Sequence, residues 1–204
     1  ALSKEQIDLV ITLFSKGEPD KALNTANKLV STFPDNSLLH NVIGACYATL
    51  GQLGSAVKSY EKAIEIDPEY AKAHYNLGVA YQELNHPKES IDSYEKSIEI
   101  DPNHAEAYNN LGNALNILGK VKASIKSFEK AIAINPDFAE AHNSLGNIYR
   151  GFKEREKANS FYESAIKIKP DMDFIFGTLL NNRMNLSLWD NLPSQINELR
   201  DRIN

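Results

Sequence analysis

Cysteine is nearly absent from this chain: Cys46 is the only one, so no internal disulfide can form, and a reducing, cytoplasmic setting is expected. Ten glycines and eight prolines in 204 residues are too few for a linker-rich or disordered chain. Long apolar runs are missing too. The longest, Leu9–Leu13 and Phe174–Leu180, fall far short of the roughly 20 residues a membrane span needs, and no membrane association is expected. A basic surface is also lacking. The formal net charge is −5, which argues against nucleic acid as a partner, because phosphate binding requires lysine and arginine in excess. No signal-peptide pattern stands at the start, which is Ala1 and not methionine, as expected of a processed or excised chain. The chemistry-bearing motifs are missing as well: no HExxH, no GxSxG, no phosphate loop and no dinucleotide glycine pattern. With one cysteine a zinc site cannot be built on thiolates, so neither metal nor cofactor is expected, and no catalysis by this chain.

What is present is a period. Prolines fall at Pro34, Pro68, Pro102, Pro136 and Pro170, each 34 residues after the last. The text around them repeats as YEKAIEIDPEYAKAHYNLG, YEKSIEIDPNHAEAYNNLG and FEKAIAINPDFAEAHNSLG. Equal spacing of self-similar segments is the mark of a solenoid, in which each unit buries its apolar face only against its neighbours. Within a unit the pattern is helical. Tyr108, Leu111, Leu115 and Leu118 recur every three or four residues and share one face. Gly119 then stops the helix, as Gly51 does earlier. A second stripe of Ser124, Phe128, Ala131 and Ile132 makes a partner helix that ends before Pro136. Only a short loop joins the two, so they are antiparallel neighbours.

These columns resemble the tetratricopeptide repeat. Leu-Gly recurs at Leu77-Gly78, Leu111-Gly112 and Leu145-Gly146, with Ile43-Gly44 as a variant. An aromatic column follows at Tyr47, Tyr81 and Tyr149, from which Leu115 departs. Small residues line up at Ala22, Ala56, Ser90, Ser124 and Ala158, and again at Ala63, Ser97, Ala131 and Ala165. Tyr60, Tyr94, Phe128 and Tyr162 run between them. Glycine and alanine let helices approach closely while the ring fills the space left. The resemblance implies an all-α, right-handed solenoid of helical hairpins. Five units span 3–36, 37–70, 71–104, 105–138 and 139–172, and 173–204 reads as a degenerate sixth hairpin capping the open end. The first unit departs most, with Val10 in place of the glycine and Ala26 in place of the aromatic.

The stretch AEAYNNLGNALNILG poses a question, because asparagine is a poor helix former and four sit in one helix. At about 100° per residue, Asn109, Asn113 and Asn116 lie on the side turned away from Leu111, Leu115 and Leu118. In tetratricopeptide repeats the first helices line the concave groove, so the resemblance places these amides on the inner surface. Stepping by one unit adds Asn76, Asn143 and Asn147 to Asn109, Asn110, Asn113 and Asn116, with Arg150 on the same surface. An amide matches the donor and acceptor of one peptide unit, so such a strip is expected to hold extended protein or peptide segments. It also resembles the asparagine ladder of O-GlcNAc transferase, with Asn76 and Asn110 in the matching column. The run FGTLLNNRMNLSLWDN resembles the segment after the last repeat in bacterial glycosyltransferases of that kind. The implied role is a substrate-recognition region ahead of a separate catalytic domain. The alternative is a free-standing adaptor, self-associating through Phe174, Ile175 and Phe176. A chaperone-tail clamp needs paired basic residues across inner helices. Here Lys72 and Arg150 are accompanied by Glu83, Glu106 and Glu140. His40, His74 and His142 share a column where an aromatic is usual, which argues for packing and not for metal.

Overall fold

The computed structural model describes residues 2–171 and, beyond them, 177–179, 181, 194 and 197. The expected capping hairpin at 173–204 and the surface at Phe174, Ile175 and Phe176 lie essentially outside the described residues. Ten α-helices are present among the described residues, and no strand. They run as α1 (Lys4–Ser15), α2 (Pro19–Thr32), α3 (Ser37–Thr49), α4 (Leu53–Ile66), α5 (Ala71–Glu83), α6 (Pro87–Ile100), α7 (Ala105–Ile117), α8 (Val121–Ile134), α9 (Ala139–Gly151) and α10 (Arg155–Ile168). The chain divides into two compact units, Ala1–Leu118 and Gly119–Asn204. None of these helices is long and apolar enough to cross a membrane.

Every hairpin turns the same way. The first helix of each ends in a residue with a left-handed backbone: Gly17, Gly51 and Gly119 at φ 71–75°, Asn85 at 61° and Lys153 at 64°. At four of these turns the next residue donates its N–H five positions back, as His86 does to the Tyr81 carbonyl at 2.8 Å and Glu154 to Tyr149 at 3.0 Å. This closes the last carbonyls of the helix that would otherwise be orphaned. No atom crowds the glycines of this column, so only the backbone conformation sets the preference. Lysine is strained there by about 1 kcal/mol. Lys153→Gly is therefore expected to raise the melting temperature by about 2–4 °C in a thermal scan.

The turn between hairpins has its own fittings. Asp67, Asp101 and Asn135 each accept, through Oδ1, the N–H two residues on, at 3.1–3.2 Å. The three histidines of the recurring column add a clasp. His40, His74 and His142 each place Nε2 2.8–3.0 Å from the carbonyl of the proline six residues earlier. They hold the turn to the helix that follows, and no His/Cys/Asp/Glu group among the described residues could hold a metal ion.

The core is the repeat columns made solid. Ala22, Ala56, Ser90, Ser124 and Ala158 are all fully buried, as are Ala63, Ser97, Ala131 and Ala165. Between helices stand Tyr60, Tyr94, Phe128 and Tyr162, each no more than 3% exposed. A Cβ on Gly44, Gly78 or Gly146 would fall 2.5–2.7 Å from the ring of Tyr60, Tyr94 or Tyr162 in the same hairpin. In the first hairpin Val10 and Ala26 occupy these two places and pack in one cluster. Its departure from the pattern is thus a swap, the large residue moving from the second helix to the first. Cys46, wholly buried in the same cluster, has its thiol pushed up to about 11 by burial, with Asp20 adding to the effect. It is a packing residue with little thiolate to offer.

Candidate functional site

In the unit Ala1–Leu118 the first helices of successive hairpins touch, α1 with α3, α3 with α5, and α5 with α7. Each second helix packs instead against the first helix of the next hairpin, α2 on α3, α4 on α5 and α6 on α7. One continuous face is therefore built from first helices alone, and the amides stand along it.

They do not all stand free. Asn76 Nδ2 donates to Asn41 Oδ1 at 2.9 Å, and Asn41 Nδ2 donates in turn to the Tyr70 hydroxyl at 3.4 Å. One hairpin on, Asn110 Nδ2 donates to the Tyr75 hydroxyl at 3.3 Å. Both rungs span 35 residues, joining one column of a first helix to the adjacent column of the previous one. Asn109 is only 7% exposed; its Nδ2 donates to Asn110 Oδ1 at 3.2 Å, while its own buried Oδ1 has no partner. Part of the asparagine strip is thus spent on knitting first helices together. What it leaves outward is narrower than seven amides. Asn76 Oδ1 accepts no bond from a described residue, Asn113 is half-buried and unbonded, and Asn116 is exposed.

Sequence reasoning missed Asn41, Tyr70 and Tyr75. The signal was available but displaced: counting by 34 finds like residues, whereas the rungs join unlike ones 35 apart. Beside the first rung, between α1, α3 and α5, lies a hollow of about 420 Å³. Ile11, Phe14, Val42, Ala45 and Ala48 give it an apolar lining, with Asn41, Asn76 and Lys72 among its polar residues. Ile11 is 42% exposed although aliphatic. Lys72 Nζ sits 5.0 Å from the Tyr75 ring centroid, a cation–π contact. Lys62 and Lys96 pair with Glu65 and Glu99 at 2.9 Å, but Lys72 has no acidic partner among the described residues.

At the far side of Tyr75 stands His104, its ring centroid 4.6 Å away and its Nδ1 3.3 Å from Ser97 Oγ. Burial lowers its pKa; Glu106 opposes the shift, and Lys72 reinforces it. Between the lowered value and the ordinary one near 6.5, the unfolded chain binds the proton that the folded chain refuses. Stability is therefore full above that ordinary value and falls as pH drops below it. Urea midpoints measured across this range should fall less steeply with acid in His104→Asn than in the parent.

The unit Gly119–Asn204 carries the remaining expected residues on α9. Asn143 is half-buried, Asn147 and Arg150 are exposed, and Asn147 Oδ1 accepts the Tyr162 hydroxyl at 2.8 Å. Nearby, Tyr149 is stacked on Phe161 with centroids 5.5 Å apart and covered by Lys157 at 3.9 Å.

Comparison with known proteins agrees with this architecture. Models of the tetratricopeptide repeat match residues 44–85, 71–104, 93–126, 112–150 and 139–172, well over half of the chain taken together. No curated protein sequence matches it significantly. Among solved structures, MamA is 28% identical with a TM-score of 0.72, over 78% of this chain and 93% of that one. PilF of Pseudomonas aeruginosa is 17% identical with a TM-score of 0.86, over 97% of this chain and 90% of its own. YrrB, described as a TPR protein with an unusual peptide-binding site, is 24% identical with a TM-score of 0.71, over 87% and 91%. With its helical pairs and its repeated ring-on-glycine contacts, the chain belongs to the tetratricopeptide repeat family.

Proposed function

We propose that the chain is a recognition scaffold that holds extended protein segments along the face built by its first helices. The observation that carries this reading is the unclaimed Asn76 oxygen and the free amides of Asn113 and Asn116, set with an apolar hollow on one continuous face. Amides satisfy a guest backbone without reading its side chains, and the hollow supplies buried area. Asn143, Asn147 and Arg150 offer the same chemistry on α9, less the Asn147 oxygen already engaged by Tyr162. YrrB, of similar fold, is a peptide binder by its description.

Each amide bond contributes on the order of 1 kcal/mol net. Replacing Asn76 and Asn113 together by alanine is expected to weaken binding of labelled peptides about thirtyfold, read by fluorescence anisotropy, with circular dichroism confirming the fold. An unchanged affinity in a folded double variant sinks the proposal.

The finer reading makes this scaffold the substrate-recognition region of an O-GlcNAc transferase-like glycosyltransferase. Its support is the resemblance of the segment 176–191 and of the column holding Asn76 and Asn110. The reading frame beyond Asn204 decides it. Several hundred residues of alternating strands and helices would support the transferase, and a stop codon there would leave the adaptor.

A further inference from the structure

On the reading that the first-helix face holds an extended segment, we infer that the preferred segment places an aliphatic or aromatic side chain in the α1–α3–α5 hollow and an internal Asp or Glu on Lys72. The hollow has the volume of a small-ligand cleft, in the range of about 300–1,000 Å³, and its floor is apolar, formed by Ile11, Phe14, Val42 and Ala45. Lys72 is the only lysine or arginine on α3, α5 and α7, and it lacks an acidic partner among the described residues. An ammonium with no ion-pair partner among the described residues, beside an apolar hollow, calls for an acidic guest. Asn76 lines the same hollow with its carbonyl oxygen unclaimed, placed to accept a backbone N–H of the guest. The acid is internal and not a chain terminus, because the face continues past Lys72 to Asn113 and Asn116 on α7. A guest ending at Lys72 would forgo either those amides or the part of the face on α1 and α3.

The test is a display library of random dodecapeptides selected on the intact chain, followed by blocked synthetic versions of the enriched sequences. Enrichment of a bulky apolar residue adjacent to Asp or Glu is expected. Changing that apolar residue to serine should weaken binding about tenfold. Changing the acid to glutamine should weaken it about fivefold at low salt and negligibly near ~0.5 M salt. In Lys72→Glu the same selection should enrich lysine or arginine instead, and Ala45→Phe should abolish the apolar preference by filling the hollow. If peptides are enriched without this pair, or Lys72→Glu selects the same sequences, the inference falls while the scaffold reading stands. Preference for a free C-terminal carboxylate likewise overturns it. If no peptide is enriched by a folded chain, the scaffold reading falls and takes the inference with it.

Discussion

Tyr94→Ala is expected to cost about 3–5 kcal/mol, the range for emptying a buried aromatic site. Tyr94 is fully buried on α6, and its hydroxyl donates to Gln82 Oε1 at 3.1 Å. Removing the ring therefore leaves a void between α5 and α6 and frees an acceptor that had been satisfied. Burial also raises the pKa of this phenol, which will stay protonated through the physiological range. The loss should appear as a lower urea midpoint in equilibrium unfolding followed by circular dichroism. Tyr94→Phe, which keeps the ring, should lose only about 1 kcal/mol.

The second expected effect has the opposite geometry. Gly78→Val should destabilise by about 1–3 kcal/mol or more through overpacking. In an open helix, removing a glycine would help. Here even a Cβ would meet the Tyr94 ring at 2.7 Å, and that ring is held by burial and by its hydroxyl bond. The pair Gly78→Val/Tyr94→Ala recreates what the first hairpin already uses at Val10 and Ala26. The double variant should thus be far more stable than the two losses added together. A strictly additive double-mutant cycle would show that ring and glycine do not share the space claimed for them.

Most of the fold was readable from spacing. A 34-residue step fixes which residues recur, and both small-residue columns and the column of Tyr60, Tyr94, Phe128 and Tyr162 are buried, while Tyr47 and Tyr81 of the other aromatic column are only half-buried. The reason is physical: core positions must be matched unit by unit, so they repeat in the text. The swap at Val10 and Ala26 was visible as a departure, but its meaning needed the contact between them. The candidate site was less legible. Asn109 reads as a polar groove residue by helical angle, yet the neighbouring helices bury it. Asn76 and Asn110 look alike in sequence, though one leans on an amide and the other on a phenol. The hollow could not be foreseen because it is the absence of a large residue where α1, α3 and α5 meet, and no motif spells an absence.

The glycine-and-ring contacts lie inside single hairpins, as Gly44 with Tyr60 and Gly78 with Tyr94. The amide rungs, in contrast, tie one hairpin to its predecessor. These two arrangements respond differently to gene duplication. Copying or deleting a whole 34-residue segment carries every steric match along intact, so the hairpin is inherited as a finished part. The rungs must be renegotiated at each new junction, and it is there, on the face built by first helices, that an array of this kind can diversify without endangering its core.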